Sequence, residues 1–200
     1  MVRSRSCYLQ VLLWLILVAG LDIALPARAT LQDVPQIQYQ TNEQFLQTAF
    51  NGAKARWKIL WLRGDLKSQV AKVLGHPYLG LRVRYWLMGN RTAWIIDEVG
   101  KDLPITVGVV VEGDAIRQLS ILVYREERGG EVHEDSFTRQ FMDVRLRDDD
   151  RLSRNIDGIT GATLSVHAVE RVARLVLFLN REVTARPFFS SEADADHSLQ

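Results

Sequence analysis

The hydrophobic positions of this chain change their period twice. Between Thr41 and Gly75 they recur at helical spacing, between Leu81 and Tyr124 they alternate, and after Thr163 the helical spacing returns. A period near 3.6 places apolar side chains on one face of a helix, and a period of 2 places them on one face of a strand.

In the first region Thr41-Asn42-Glu43-Gln44 has the Ser/Thr-x-x-Glu/Gln spacing of a capping box. Phe45, Ala49 and Ala53 follow on one helical face until Gly52 interrupts. Trp57, Leu60 and Trp61 recur at helical spacing before Gly64, and Leu66, Val70, Val73 and Leu74 do so before the stop signal Gly75-His76-Pro77. Two or three short helices are therefore expected. Trp57 and Trp61 read as core or interface packing, with stacking on an aromatic cofactor as the alternative. Leu31 to Gln40, with Pro35 and four glutamines, reads as a linker.

Alternation begins at Leu81-Arg82-Val83-Arg84-Tyr85-Trp86 and resumes at Thr92 to Ile96, with Gly89-Asn90 turning between them. Ile105 to Val111 and Ala115 to Tyr124 form a second pair around Glu112-Gly113-Asp114. Arg82 and Arg84 fall on one strand face, expected to be solvated. Glu126 to Glu131 breaks the pattern with a charge cluster and two glycines, a polar loop of the kind that ligands favour. Ser136 to Met142 fits one or two helical turns, Val144 to Leu146 a short strand, and Arg147 to Arg154 an exposed connection.

From Leu164 to Asn180 the residues Val169, Val172, Ala173, Val176 and Leu179 share a face opposite His167, Arg171 and Arg174, so this helix is built to dock on a sheet. The fold class that follows is α+β: an antiparallel sheet of about four strands, a C-terminal helix packed on it, and an N-terminal helical extension. Residues 30–100 hold the extension and first strands, residues 101–185 the second part, and residues 186–200 a frayed tail.

One apolar run does not belong to that pattern. Arg3 and Arg5 precede residues 8–21, and Ala27-Arg28-Ala29 supplies small residues at signal-peptidase spacing, so residues 1–29 read as a secretory signal cleaved before Thr30. An uncleaved membrane anchor is the alternative, because residues 7–26 approach bilayer-spanning length. Either reading puts the folded part outside the cytoplasm, in a periplasm where the organism has one.

Removing residues 1–29, with Arg3, Arg5, Arg28 and Asp22, takes 25 basic and 24 acidic residues to 22 and 23. Neither a nucleic-acid-binding face nor an acidic tail follows from that balance. Cys7 is the one cysteine and lies ahead of the apolar run, so a cleaved chain has no disulfide, thiolate nucleophile or cysteine-ligated metal. His76, His133, His167 and His197 lack zinc-ligand spacing, and Ser136 and Ser165 lie in no nucleophile-elbow pattern. No metal site and no catalytic residue is assigned.

The remaining chemistry is concentrated in Asp157-Gly158-Ile159-Thr160-Gly161-Ala162-Thr163, at the start of the last helix. Gly158, Gly161 and Ala162 let backbone turn and let another molecule approach, and the first amides of a helix attract an anion. Thr160 or Thr163 acting as an ordinary helix cap is the competing account.

That heptad resembles the Asp-x-x-Ser/Thr-Gly-Ala-Thr pattern of the FMN-binding domain family, which includes the flavin-carrying small subunits of sodium-pumping NADH:quinone reductase and of the Rnf electron-transfer complex. A looser likeness runs through Pro104 to Glu131 and Phe137-Thr138-Arg139-Gln140-Phe141. The resemblance implies that Thr163 is esterified to the phosphate of FMN by an extracytoplasmic flavin transferase using FAD as donor. It implies that Asp157, Gly158, Thr160, Gly161 and Ala162 position the group, and that Glu126 and Gly129 lie near the isoalloxazine. A membrane electron-transfer partner would then exchange electrons with the tethered flavin. A flavin-dependent reductase with its own small substrate, and a cofactor-free binding or sensor domain, are the two other classes that fit.

Overall fold

The computed structural model describes residues 36–185, so the signal or anchor reading of residues 1–29 and the tail from Arg186 lie outside the described residues. Among the described residues no helix is long and apolar enough to cross a membrane.

The chain forms strands β1 (Ile37–Gln38), β2 (Arg56–Trp61), β3 (Arg82–Met88), β4 (Arg91–Val99), β5 (Pro104–Glu112) and β6 (Ala115–Tyr124). Its α-helices are α1 (Asn42–Ala49), α2 (Gly64–Leu74), α3 (Asp135–Thr138) and α4 (Thr163–Ala185), with short 3-10 turns at Gly130–His133 and Arg139–Phe141. All strand pairs are antiparallel, in the order β1-β6-β5-β4-β3-β2. The α+β reading holds, but the sheet has six strands rather than about four.

The two added strands come from segments read otherwise. Ile37–Gln38, at the end of the expected linker, pairs with Val123 and Tyr124 of β6. Arg56–Trp61 was expected to be helical, yet it pairs residue for residue with β3, from Arg56 opposite Leu87 to Trp61 opposite Arg82. Trp57, Leu60 and Trp61 fit a helical period, but Trp57, Ile59 and Trp61 equally alternate with Lys58 and Leu60. The open hydrogen-bonding edge of β3 decides between the two, since strand preference is set by sheet neighbours more than by the backbone itself. Trp57 and Trp61 consequently stand on the outer sheet face, 60% and 46% exposed, and are not core residues.

The helical patterns beginning at Thr41 and Leu66 form helices, the first ending at Ala49, short of Ala53. Gln44 N–H donates to Thr41 Oγ1 at 3.1 Å and Thr41 N–H to Gln44 Oε1 at 2.9 Å, closing the capping box of α1. Helix α2 buries Leu66, Val70, Val73 and Leu74 and ends at Gly75, whose N–H donates to Ala71 O. The segment after residue 142 gives isolated bridges, Ala115 with Arg145 and Leu146 with Leu152, in place of a continuous strand.

Helices α2 and α4 cover one sheet face over Val83, Tyr85, Trp94, Ile96, Val107 and Val109. On the other face α1 sets Phe45, Ala49 and Phe50 against Ala93, Val110 and Leu122. Helix α4 is held by more than apolar contact. Thr92 Oγ1 donates to buried Asn180 Oδ1 at 2.7 Å, and Arg171 Nε donates at 2.7 Å to the buried carboxylate of Glu98, which also takes His76 Nε2 at 2.8 Å. Val34–Gln200 is one compact unit, and among the described residues the buried members of both apolar clusters lie between Phe45 and Leu179.

Candidate functional site

Antiparallel order brings the ends of β4 and β6, the start of β5 and the N-terminus of α4 to one end of the sheet. Ala162, only 3% exposed, anchors the approach to α4: its N–H closes a turn onto Ile159 O at 3.0 Å and its carbonyl accepts Val166 N–H at 2.9 Å. Gly161 sits at φ +84, in the left-handed region that lets the chain turn directly into the helix. Gly158 has neither a positive φ nor a neighbour within 4 Å of an added Cβ.

Thr163 is the first residue of α4, one position past the residue that accepts the first helical bond. Neither its hydroxyl nor that of Thr160 hydrogen-bonds to any described residue. An ordinary capping threonine would accept from an amide two or three residues on. The helix start therefore keeps unpartnered amides and an exposed, unpartnered hydroxyl side by side, with the positive end of the helix dipole behind them.

Upstream, the loop is clamped by Gln140, which follows α3. Asp157 N–H donates to Gln140 Oε1 at 2.7 Å, and Gln140 Nε2 returns a longer bond of 3.4 Å to Asp157 O. A side-chain amide here imitates a strand partner for the start of the heptad.

The facing wall is organised by Glu126. Its Oε1 accepts three successive backbone N–H groups, from Lys101 at 2.6 Å, Asp102 at 2.8 Å and Leu103 at 3.0 Å, which shapes the turn between β4 and β5. Gly129 lies at φ +88, and a Cβ there would meet Ser165 Oγ and Tyr124 Oη at 2.9 Å each and Ala162 Cβ at 3.1 Å. The 126–129 loop thus packs directly on the first turn of α4. Tyr124 locks the contact by donating to Arg128 O and sharing a 2.9 Å hydrogen bond with Ser165 Oγ. Burial pushes the Tyr124 phenol above its ordinary value, the Ser165 bond opposes this, and the charges of Glu126 and Glu131 add to the rise.

Between the walls lies a cavity of about 750 Å³, lined by the 101–103 turn, by Glu126, Glu127 and Arg128, and by residues 161–165. Its volume is of the size that cofactor sites have. Arg128 makes no side-chain ion pair among the described residues, whereas Lys101 is paired at the surface with Asp102 at 3.3 Å. Unpartnered helix amides, a free guanidinium and a free hydroxyl on one cavity suit a phosphate, and the space beside them suits a flat heterocycle.

Of the residues singled out from the sequence, Glu126, Gly161, Ala162 and Thr163 line this cavity. Gly129 packs behind it, while Asp157, Gly158 and Thr160 belong to the exposed approach and do not line it. Sequence reasoning missed the 101–103 turn, Ser165 and the clamp of Gln140, and reached Arg128 only as part of the 126–131 loop. The turn had a signal, Gly100 and Pro104 bracketing charged residues between two strand patterns; Ser165 had none, since its partner Tyr124 is remote in the chain.

Other groups are otherwise engaged. Among the described residues no cluster of His, Cys, Asp and Glu could hold a metal. A second cavity of about 450 Å³ runs along β6 beside Tyr39 and His133, but its arginines are committed, Arg117 to Glu112 and Asp143 and Arg139 to Asp135.

No curated protein matches the chain. Residues 100–177, however, match the family model of the FMN-binding domain. That span opens at the turn held by Glu126 and closes within α4, so it contains both walls of the cavity. By this match residues 100–177 are similar to the FMN-binding domain family, and the likeness covers 78 of the 200 residues of the chain.

Proposed function

We propose that the chain is an extracytoplasmic electron-transfer flavoprotein carrying FMN covalently, through a phosphoester on Thr163. The observation that supports this most is the Thr163 hydroxyl, unpartnered and exposed at the mouth of a cavity lined by Arg128 and the first turn of a buried helix.

A threonine hydroxyl is a weak nucleophile without an adjacent base. Among the groups lining the cavity, Glu126 is spent on three backbone amides and Ser165 is tied to Tyr124, and no hydrogen bond links the Thr163 hydroxyl to a base among the described residues. Activation therefore falls to a separate flavin transferase with FAD as donor. The Thr163 oxygen bonds to the phosphorus of the FMN half, the bond to the bridging phosphoanhydride oxygen breaks, AMP leaves, and the transferase takes the hydroxyl proton. Once bound, FMN supplies one- and two-electron redox chemistry. The chain's own part is to hold it: the α4 amides and Arg128 offset the phosphate charge, and the walls set by Glu126 and Gly129 limit the volume open to the ring. A covalent tether keeps a cofactor that would otherwise be lost outside the cytoplasm, where an exported chain has no supply of it. The electron-transfer partner is assigned to the membrane.

Protein made in a host with an active extracytoplasmic flavin transferase is expected to give a fluorescent flavin band after denaturing electrophoresis, and an intact mass increased by one esterified FMN. Thr163→Val should lose both signals while remaining folded. A band that survives this substitution places the attachment elsewhere.

A further inference from the structure

The sheet end that carries the cavity also carries the most exposed apolar residues of the described chain. Leu79 is 94% exposed and Leu81 63%, in the uncharged stretch Pro77-Tyr78-Leu79-Gly80-Leu81 that leads from α2 into β3. Both ends of that loop are fixed. His76 Nε2 lies 2.8 Å from the Glu98 carboxylate, and Leu62 N–H donates to Leu81 O at 2.9 Å. Leu79 is thus held out at the tip of a braced loop.

Next to it stands a ladder of indoles and guanidiniums. The Arg63 guanidinium lies 4.9 Å and that of Arg82 5.7 Å from the Trp61 ring, and Arg84 lies 5.4 Å from the Trp57 ring. None of these three arginines forms an ion pair among the described residues, although Asp65 follows closely in the chain. The cavity is at the same end, because β2 ends at Trp61 and β3 starts at Arg82 where β4 gives way to the 101–103 turn.

We propose that this end of the sheet docks on an anionic lipid bilayer, with Leu79 and Leu81 in the acyl boundary, Trp61 at headgroup depth, and Arg63 and Arg82 on lipid phosphates. Each group is placed where a bilayer rewards it: leucine in hydrocarbon, tryptophan at the interface, and arginine at an anionic surface. A protein interface is a broad patch with a packed apolar centre. The geometry here is the reverse, a single uncharged loop tip standing out from a rim of cations. The docking needs no flavin. Its consequence, that the tethered flavin faces membrane-borne electron carriers, rests on the function proposed above.

The protein from Thr30 onward, the expected product of signal cleavage, is mixed with phosphatidylcholine vesicles with and without phosphatidylglycerol and sedimented. Binding is expected with phosphatidylglycerol and should weaken as salt rises. Leu79→Glu, at a site with almost no contacts to disturb, should weaken it by at least about tenfold with an unchanged melting temperature. Arg63→Glu with Arg82→Glu should remove the preference for the anionic lipid. Failure to sediment with either vesicle, or unaltered binding by Leu79→Glu, overturns the proposal and leaves the surface to a protein partner. The flavin band of the wild-type protein separates the two readings: its presence in wild type that binds neither vesicle retains the tether and rejects the docking, and its absence from wild type that binds vesicles, with binding weakened by Leu79→Glu, does the opposite.

Discussion

Tyr124 and Ser165, at the end of β6 and in the first turn of α4, share a hydrogen bond of 2.9 Å across 41 positions of chain. The same phenol donates to Arg128 O, so one side chain joins the sheet, the cavity loop and the helix that presents Thr163. Tyr124→Phe keeps the ring packing and leaves the Arg128 carbonyl and Ser165 hydroxyl without that partner, at a cost of about 1–3 kcal/mol. There is also a pH signature. The folded phenol ionises above its ordinary 10.0, mainly because it is buried. A raised folded value means a contribution that is full below pH 10.0 and is lost as pH rises through the folded value. Unfolding free energy measured by denaturant titration should therefore fall in that alkaline window. The fall should be shallower in Tyr124→Phe, with the similarly raised Tyr78 and Tyr85 retaining the rest.

Glu126 acts on the cavity through the 101–103 turn. Replacing it by alanine strands three amide donors that now share one carboxylate oxygen. Hydrogen bonds to a charged acceptor contribute about 1.5–3 kcal/mol each, but an amide released to water recovers part of that, so a net loss of about 2–4 kcal/mol is expected. Flavin incorporation should fall with it. Glu126→Gln, which keeps an acceptor oxygen, should recover much of the stability. Chemical denaturation and flavin-to-protein absorbance ratios measure the two effects separately.

Gly129→Ala should be more damaging than its size suggests. A left-handed conformation costs a residue with Cβ about 1–2 kcal/mol. The new methyl would also need Ser165 Oγ and Tyr124 Oη, each 2.9 Å away, to move. The hydroxyls are tied to each other, so the loop rather than the helix is expected to yield. Melting temperature should drop, and amide exchange should rise in residues 126–130 while the centre of α4 stays protected.

What the sequence disclosed follows from how local each feature is. The capping box of α1 and the apolar face of α4 need only their own residues, and both fold as read. The Asp157 to Thr163 heptad was legible because its residues are contiguous and Gly161 answers a local backbone demand. Strand β2 was not, since Trp57, Leu60 and Trp61 satisfy a helical period and only the edge of β3 selects a strand. The two-residue β1 is too short for any period to show. In the facing wall the 126–129 loop was legible from its glycines and charges, but the 101–103 turn escaped, because Glu126 meets it only after β5 and β6 have folded back. The sequence left Trp61 between core and interface packing and gave no sign for Leu79, because only a three-dimensional surface shows which apolar side chains stand outside the core.

Gln140 offers the cleanest separation of positioning from stability. It sits outside the cavity and touches the heptad only at Asp157, by the 2.7 Å bond it accepts and the 3.4 Å bond it donates. At 3.4 Å the second contributes little, so the clamp is essentially one good hydrogen bond, worth about 1 kcal/mol or about fivefold in the ratio of ordered to open loop. Gln140→Leu, near the surface, should leave the melting temperature within a degree or two, about what a 1 kcal/mol local change confined to an exposed loop transmits to global unfolding. The rate at which a flavin transferase modifies Thr163 should nevertheless fall, by up to about fivefold, because the enzyme meets the ordered loop less often. Gln140→Glu keeps an oxygen to accept the Asp157 amide and should modify at close to the normal rate. A time course of flavin fluorescence at fixed transferase, FAD and acceptor concentrations compares the three. Equal rates in all of them would show that the transferase imposes its own loop conformation, and that the clamp serves only the folded state before modification.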